Sequence, residues 1–104
     1  MKGALLLINL MEPLTTPQIY QFLDTVSGWT YEHNALSNTY EFESFLEALG
    51  FVNDLAEVVE NMGHHPDILI EYNKVTLRTT THDKDNQVTD QDLTLIREIE
   101  QLLD

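Results

Sequence analysis

Three of the four histidines in the chain, His64, His65 and His82, fall within nineteen residues, and Glu60 precedes His64 by four positions. Imidazole changes its charge near neutral pH, so two rings facing one small cleft can deliver one proton to a substrate and remove another. Proton transfer of this kind typically contributes ~10²–10⁴ in rate. The chain has no cysteine, which excludes a thiolate nucleophile, a thiolate metal site and a disulfide. The sequence therefore predicts a catalytic group of His64, His65, His82 and Glu60.

Each of these residues also has a simpler interpretation. A histidine just after a helix, as His64 or His65 would be, is commonly a solvated residue that the helix dipole favours. Three imidazoles can also hold zinc, but two adjacent histidines in a turn rarely point both rings at one ion in tetrahedral geometry. Asp92 follows Thr89 by three residues, so it is most simply the acidic partner in a capping box. We therefore predict no metal and interpret Asp92 as a helix cap.

Composition and charge limit the classes of partner. The chain has 104 residues, 42% of them hydrophobic, and a formal net charge of −13, which fits one small domain with a single core. Its five basic residues are scattered singly, whereas binding to phosphate backbones needs clustered Lys and Arg. The sequence therefore predicts no binding to nucleic acid and none to an anionic membrane.

Residues 1–13 are interpreted as an N-terminal extension to a domain that spans residues 14–104. The apolar run from Ala4 to Leu10 is far shorter than the ~20 residues that a membrane helix needs. It also lacks the longer apolar core and the small-residue cleavage site of a signal peptide. We therefore expect a cytoplasmic protein.

The elements that must position the histidines follow from apolar periodicity. The longest helix is predicted from Phe45 to about Met62, with Ser44 and Glu47 as its capping box and Gly63 as its left-handed stop. A shorter helix is predicted to have Thr15 or Thr16 as its cap and Pro17 in its first turn, and a third helix starts after Thr89. Alternating patterns fill the intervals, so the order is α-β-β-α-β-β-α. This order predicts an α+β fold, a helix followed by a β2-α-β2-α two-layer sandwich, whose four-stranded antiparallel sheet has helices on one face.

A predicted hairpin brings histidines from two stretches of chain together. Two β-rich runs flank Asn73 and Lys74, which we expect to be the two turn residues. Extending the strand register from that turn puts His82 opposite His65, and directly opposed Cβ atoms lie ~5 Å apart. The histidines should therefore meet at the open end of the hairpin.

The last turn of the long helix adds an acid to this group. Glu60 lies four residues before His64, which is within reach of an i,i+4 pair if the helix persists that far. A carboxylate at this position would favour the protonated ring. The sequence therefore predicts a cleft between the helix end and the hairpin, with Glu60 paired to His64.

At these spacings the residues resemble those of a known family. The order and spacing of five elements are similar to the signature of the pterin-4a-carbinolamine dehydratases: Glu60, His64-His65-Pro66, Tyr72, His82 and Asp92. Further positions that resemble the family are Gly28-Trp29, Phe42-x-x-Phe45, Tyr72-Asn73-Lys74-Val75 and Thr89-x-x-Asp92. The resemblance runs from about Leu14 to Leu103.

The resemblance implies a reaction and an assembly. Relatives dehydrate 4a-hydroxytetrahydrobiopterin, the pterin-4a-carbinolamine, to quinonoid dihydropterin, which recycles tetrahydropterin. They assemble as a homodimer or a homotetramer and use neither a metal nor an organic cofactor. By position, His64, His65 and His82 would act as acid/base and pterin-binding groups, with Glu60 in support. Within this group we expect His64 and His82 to exchange protons with the substrate while His65 orients the pterin ring.

Two alternatives to the dehydratase stay open. Animal relatives also act as dimerisation cofactors of a homeodomain transcription factor, so the chain could be a non-enzymatic interaction module. In that case apolar helix positions such as Tyr20 and Phe51 should form an exposed patch. The chain could instead be a pterin-binding protein linked to molybdenum cofactor metabolism. The stretch Asp83 to Asn86 is unlike that of the relatives, and we expect it to alter the rim of the site.

Overall fold

The computed structural model describes residues 12–104. Within this range the chain forms α1 (Thr16–Leu23), β1 (Thr30–Glu32), β2 (Ala35–Glu41), α2 (Phe45–Met62), β3 (Asp67–Glu71), β4 (Lys74–Thr79) and α3 (Asp90–Leu103). A short 3₁₀ turn, His82–Lys84, lies between β4 and α3. The predicted order and the α+β fold class are confirmed. The predicted N-terminal extension lies almost wholly outside the described residues and stays a prediction.

The helices begin and end where local hydrogen bonding directs them. The Thr15 side chain forms a capping box with Gln18 at the start of α1, and Pro17 lies in its first turn. At the start of α2 the Ser44 hydroxyl accepts a hydrogen bond from the Glu47 N–H at 3.1 Å, which is one half of the predicted capping box. No helix within residues 12–104 combines the length and apolarity needed to cross a bilayer.

The strands form one antiparallel sheet in the order β1-β2-β4-β3. Burial alternates along the central strand β4, because successive side chains of a strand point to opposite faces. Val75, Leu77 and Thr79 are fully buried, whereas Lys74 and Arg78 are exposed. The buried face packs with the helices in one hydrophobic core, whose members include Ile19, Leu36, Ala48, Phe51, Leu55, Leu95, Ile96 and Ile99.

The β3–β4 hairpin turns one residue earlier than predicted. Glu71 pairs with Lys74, so Tyr72 and Asn73 form the turn, and Tyr72 has a left-handed φ of 56°. A contact with the neighbouring chain segment explains the shift. The Asn73 side-chain amide donates to the Phe42 carbonyl at 2.7 Å, and the Phe42 N–H donates to the Asn73 carbonyl at 2.8 Å.

This register changes how the chain segments before β3 and after β4 approach each other. The predicted pairing of His82 with His65 is wrong, because β4 ends at Thr79 and His82 begins the 3₁₀ turn. The two chain stretches nevertheless remain neighbours beyond the last ladder pair, Asp67 with Arg78. The turn after β4, rather than strand pairing, therefore determines where the His82 ring lies.

Candidate active site

A cleft of about 250 Å³ opens between the end of α2 and the loop that follows β4. Its lining residues are Gly63, His64, His65, Thr81, His82, Asp83 and Gln91. The structure thus brings all three histidines of the predicted group to one opening. Glu60 lies beside the cleft rather than in it, on an adjoining open groove of α2 that it shares with Ala56, Glu57 and Asn61.

The end of α2 directs the first of these histidines inward. Gly63 has a left-handed φ of 68°, the conformation predicted for a helix stop, and its N–H bonds to the Val59 carbonyl at 2.9 Å. The chain then turns back, so that His64 is only 8% exposed. Its Nε2 lies 2.6 Å from Oδ1 of Asp92, at the start of α3.

Asp92 is a fully buried carboxylate with a complete set of donors. Oδ1 accepts from His64 and from the Thr79 hydroxyl, the latter at 2.6 Å. Oδ2 accepts from the Thr81 hydroxyl at 2.7 Å and from the Thr89 N–H at 2.9 Å. Burial alone would raise the pKa of Asp92, but hydrogen bonds from His64, the threonines and the backbone outweigh it and lower the pKa below 3.8. Asp92 is therefore ionised at neutral pH.

An ionised Asp92 determines the tautomer of His64. A carboxylate without a proton can only accept hydrogen bonds, so the Nε2 of His64 must carry the proton between them. Within the described residues every buried side-chain nitrogen and oxygen has a partner, and no partner is found for Nδ1 of His64. With Nε2 protonated, the unshared electron pair of the neutral ring lies on Nδ1, and His64 is one of the residues that line the cleft.

The same carboxylate holds the start of α3. Thr89 and Asp92 form the capping box that the sequence predicts, and the Thr89 and Thr81 hydroxyls are 2.7 Å apart. The contact of Asp92 with His64 is the part that periodicity and capping patterns missed. The signal that could have found it is the family signature, in which an aspartate follows the last histidine.

Glu60 pairs with His65, not with His64. A hydrogen bond joins Oε2 of Glu60 and Nε2 of His65, and both side chains are exposed, at 74% and 55%. The prediction of an i,i+4 pair was wrong because the left-handed turn at Gly63 rotates His64 into the core. The ring that remains on the surface beside the last turn of α2 is therefore that of His65.

His82 is held by its own loop. Its Nδ1 lies 2.6 Å from Oδ1 of Asn86, and its side chain is exposed at the rim of the cleft. Asp83, the next residue, also lines the cleft. Of the stretch Asp83 to Asn86, Asp83 therefore lies in the lining of the cleft, and Asn86 acts on it through the His82 ring.

This arrangement suits a substrate that exchanges protons. No lysine or arginine lines the cleft within the described residues, so the histidines are the lining side chains there that can carry a positive charge. Among residues 12–104 no cluster of three or more His, Asp or Glu side chains is arranged to hold a metal ion. What the cleft offers is three imidazoles, one held by a buried carboxylate, one by an exposed carboxylate and one by a loop amide.

A comparison with protein families gives one match over most of the chain. The family model described as pterin 4 alpha carbinolamine dehydratase matches residues 12–102. The matched region covers α1, α2, the sheet, all but the last residue of α3 and all the residues of the cleft.

Individual proteins agree with this match. A protein of Sulfurisphaera tokodaii, named as a proposed pterin-4-alpha-carbinolamine dehydratase, is 39% identical over 93 residues, which are 89% of this chain and 99% of that protein. A protein of Thermomicrobium roseum with the same name is 41% identical over 92 residues, or 88% of this chain and 98% of its own. A crystal structure described as a transcriptional coactivator/pterin dehydratase from Brucella melitensis superposes with a TM-score of 0.82 at 28% identity, covering 88% of this chain and 98% of that one.

Proposed function

We propose that this chain, which belongs to the pterin-4-alpha-carbinolamine dehydratase family, dehydrates 4a-hydroxytetrahydrobiopterin to quinonoid dihydropterin and so recycles tetrahydropterin. The observation that carries the proposal is the pair of imidazoles at one cleft, His64 with its Nε2 on a buried carboxylate and His82 on the loop that follows β4. The names of the relatives support the substrate class, and the geometry supports a proton-transfer mechanism.

The reaction needs two proton transfers and no redox step. The C–O bond at ring position 4a breaks, and the oxygen leaves with the bonding electrons and takes up a proton to become water. The adjacent ring nitrogen loses its proton, and the electrons of that N–H bond form the new C=N bond. One general acid and one general base therefore suffice.

His64 is the better placed base of the two. Its Nδ1 accepts the proton from the ring nitrogen, and the ionised Asp92 beside Nε2 stabilises the imidazolium that forms. His82 then acts as the acid that protonates the departing hydroxyl. His65 binds and orients the pterin ring, and Glu60 supports it by fixing the orientation of its imidazole.

A stopped assay of 4a-hydroxytetrahydrobiopterin breakdown, with and without the protein, tests this function. The wild-type protein should accelerate the dehydration, and His64→Ala or His82→Ala should lower the catalysed rate by ~10² or more while circular dichroism stays native. His33→Ala is the matched control, because His33 lies in the exposed β1–β2 turn outside the cleft. Absence of acceleration by the wild-type protein overturns the function, and wild-type rates in both cleft variants overturn the assigned roles.

We also propose that the protein works as a homodimer or homotetramer. The outermost strand β3 carries two exposed apolar residues, Ile68 and Leu69, at 39% and 53%. An edge strand with apolar side chains is a ready site for pairing with another chain. Light scattering after size exclusion should give a multiple of the monomer mass, reduced by Leu69→Lys but not by Asp54→Lys on the exposed side of α2. A monomeric wild-type protein contradicts the proposal.

The interaction-module alternative has weaker support. The Brucella structure is described as a coactivator as well as a dehydratase, but of the two apolar positions expected at such a surface, only Tyr20 is exposed, at 52%. Phe51 is 6% exposed and belongs to the core. The other alternative is a protein that binds a pterin of molybdenum cofactor metabolism. Such a pterin can be tested as a second substrate in the same assay.

A further inference from the structure

The loop that carries His82 has an unusual backbone and one specific side-chain contact. Asp85 and Asn86 both adopt left-handed conformations, with φ of 56° and 58°. Residues other than glycine are disfavoured in this region, and aspartate and asparagine tolerate it best. Asn86 uses the conformation to return its amide oxygen to Nδ1 of His82, at 2.6 Å.

The three histidines of the cleft differ in the group that holds each ring. His64 bonds to the carboxylate of Asp92 and His65 to that of Glu60. His82 is held instead by the neutral amide of Asn86. A carboxylate stabilises the imidazolium over the neutral ring, whereas a neutral amide oxygen accepts the same N–H from either form.

We propose that Asn86 is a positioning residue that fixes both the orientation and the tautomer of His82. Its Oδ1 accepts the hydrogen bond from Nδ1–H, so the Nδ1 proton stays in place whether the ring is charged or neutral. The proton that comes and goes is therefore always the one on Nε2. This assignment deepens the proposed function, because it supplies the second proton-transfer atom of the cleft.

The surrounding loop keeps the amide within reach of the ring. The Thr81 N–H donates to the Gln87 carbonyl at 3.0 Å, which closes the loop at its base. The Lys84 N–H donates to the Thr81 carbonyl at 3.1 Å and completes the 3₁₀ turn. Glycine at position 86 would adopt the same backbone conformation without strain, but it would bring no acceptor to the ring.

Two substitutions separate the side chain of Asn86 from its backbone. Asn86→Gly removes the acceptor and relaxes the left-handed residue, whereas Asn86→Asp keeps an oxygen acceptor at the same place. Asp85→Gly is the matched control, because it relaxes the neighbouring left-handed residue and leaves the His82 contact intact. A change seen in Asn86→Gly and not in Asp85→Gly therefore belongs to the side chain.

The first measurement does not depend on any enzyme activity. Long-range ¹H–¹⁵N spectra, recorded at a pH where the His82 ring is neutral, report which ring nitrogen carries the proton. We expect the Nδ1–H tautomer in the wild-type protein, in Asp85→Gly and in Asn86→Asp, and a mixture of tautomers in Asn86→Gly. An Nε2–H tautomer in the wild-type protein, or an unchanged spectrum in Asn86→Gly, overturns the proposal even if dehydration is observed.

The second measurement asks whether the positioning matters for the reaction. Asn86→Gly should lower kcat about tenfold with little change in KM, because a misdirected ring lowers the rate of the chemical step rather than the binding of the pterin. Asn86→Asp should recover most of that loss, and Asp85→Gly should show none. A tautomer change without a fall in kcat contradicts the role in catalysis. If the wild-type protein does not dehydrate the pterin, the proposed function fails while the spectra still decide the tautomer.

Discussion

Helix α3 carries two carboxylates that reach partners on the sheet, and they meet very different groups. Asp92, in the first turn, accepts from the His64 ring and the Thr79 hydroxyl. Glu100, eight residues later, accepts from the Tyr40 hydroxyl at 2.5 Å and from the Trp29 indole N–H at 3.4 Å. Both carboxylates therefore satisfy donors at the helix–sheet interface.

The two contacts differ in whether the donor group has a second polar atom: the His64 ring has one, and the Tyr40 phenol has none. His64 lines the cleft and has a second ring nitrogen, so in the proposed mechanism the charge of Asp92 acts on a group that exchanges protons with the substrate. The Tyr40 hydroxyl is a single polar atom, and the contact with Glu100 uses it. Burial, followed by the hydrogen bond and negative charge of Glu100, raises the pKa of Tyr40 above its ordinary value of 10.0. The carboxylate of Asp92 thus bonds to a histidine of the cleft, and that of Glu100 favours the neutral form of the Tyr40 phenol.

The largest effect that separates the two carboxylates should be on the dehydration rate. Asp92→Asn leaves a neutral amide beside His64, which removes the charge that stabilises the imidazolium and allows the wrong tautomer. We expect kcat to fall by about 10²-fold. Glu100→Gln is the matched control and should keep the wild-type rate, as measured by the breakdown of 4a-hydroxytetrahydrobiopterin. Equal rates for Asp92→Asn and Glu100→Gln would remove the distinction between the two sites.

Acid should destabilise the fold through Asp92. Because its pKa is lower in the folded protein than the ordinary 3.8, the stabilisation is fully present above about pH 3.8 and is lost as the pH falls through the folded value. Urea unfolding at a series of pH values should show this loss in the wild-type protein. Asp92→Asn should lack that part of the slope, whereas Asp54→Asn, at an exposed position of α2, should retain it. Parallel pH profiles for the two variants would contradict the prediction.

Alkali should act through Tyr40, with the opposite sign. A raised pKa in the folded state means that the stabilisation is present below pH 10.0 and is lost as the pH rises above that value towards the folded one. Tyr40→Phe should therefore lose less stability than the wild-type protein between neutral pH and strong alkali. Tyr20→Phe, at a half-exposed ring, is the control that should behave like the wild-type protein. A matching alkaline slope in Tyr40→Phe would show that Glu100 does not hold the phenol neutral.

The smallest effect should come from Glu60, the carboxylate at the surface. Its pair with His65 is open to solvent on both sides, so water and salt screen it. Glu60→Gln keeps an acceptor oxygen for the ring and should change the dehydration rate by only about threefold or less. The effect should weaken further as salt is added. A loss as large as that of Asp92→Asn would make Glu60 a member of the reacting group and not a support.

Local sequence patterns were sufficient to predict the elements. Each helix start combines a capping residue with an apolar stripe, and the left-handed Gly63 ends α2 where expected. These are short-range effects, so they can be inferred from neighbouring residues alone. The bounds of α2 in the structure, Phe45–Met62, are the ones that the sequence predicted.

Contacts between distant residues were beyond such patterns. The hairpin turn depends on the hydrogen bonds between Asn73 and Phe42, which are thirty-one positions apart. Glu60 pairs with His65 instead of His64 because His64 bonds to Asp92, a residue twenty-eight positions further along the chain. The capping box already accounts for an acidic residue at position 92. The sequence pattern therefore gave no reason to expect the additional contact of Asp92 with His64.

Asp92 takes part both in the start of α3 and in the contact with His64, so the order of folding bears on when the cleft is complete. Asp92 completes the capping box of α3 with Thr89 and also holds His64, so the cleft is incomplete until α3 has docked onto the sheet. Recovery of dehydration during refolding should therefore lag behind formation of the hairpin and coincide with docking of this last helix. The same sharing narrows the choice of residues at position 92, since a neutral asparagine could still accept the Thr89 N–H at the start of the helix but would leave the histidine without its counter-charge.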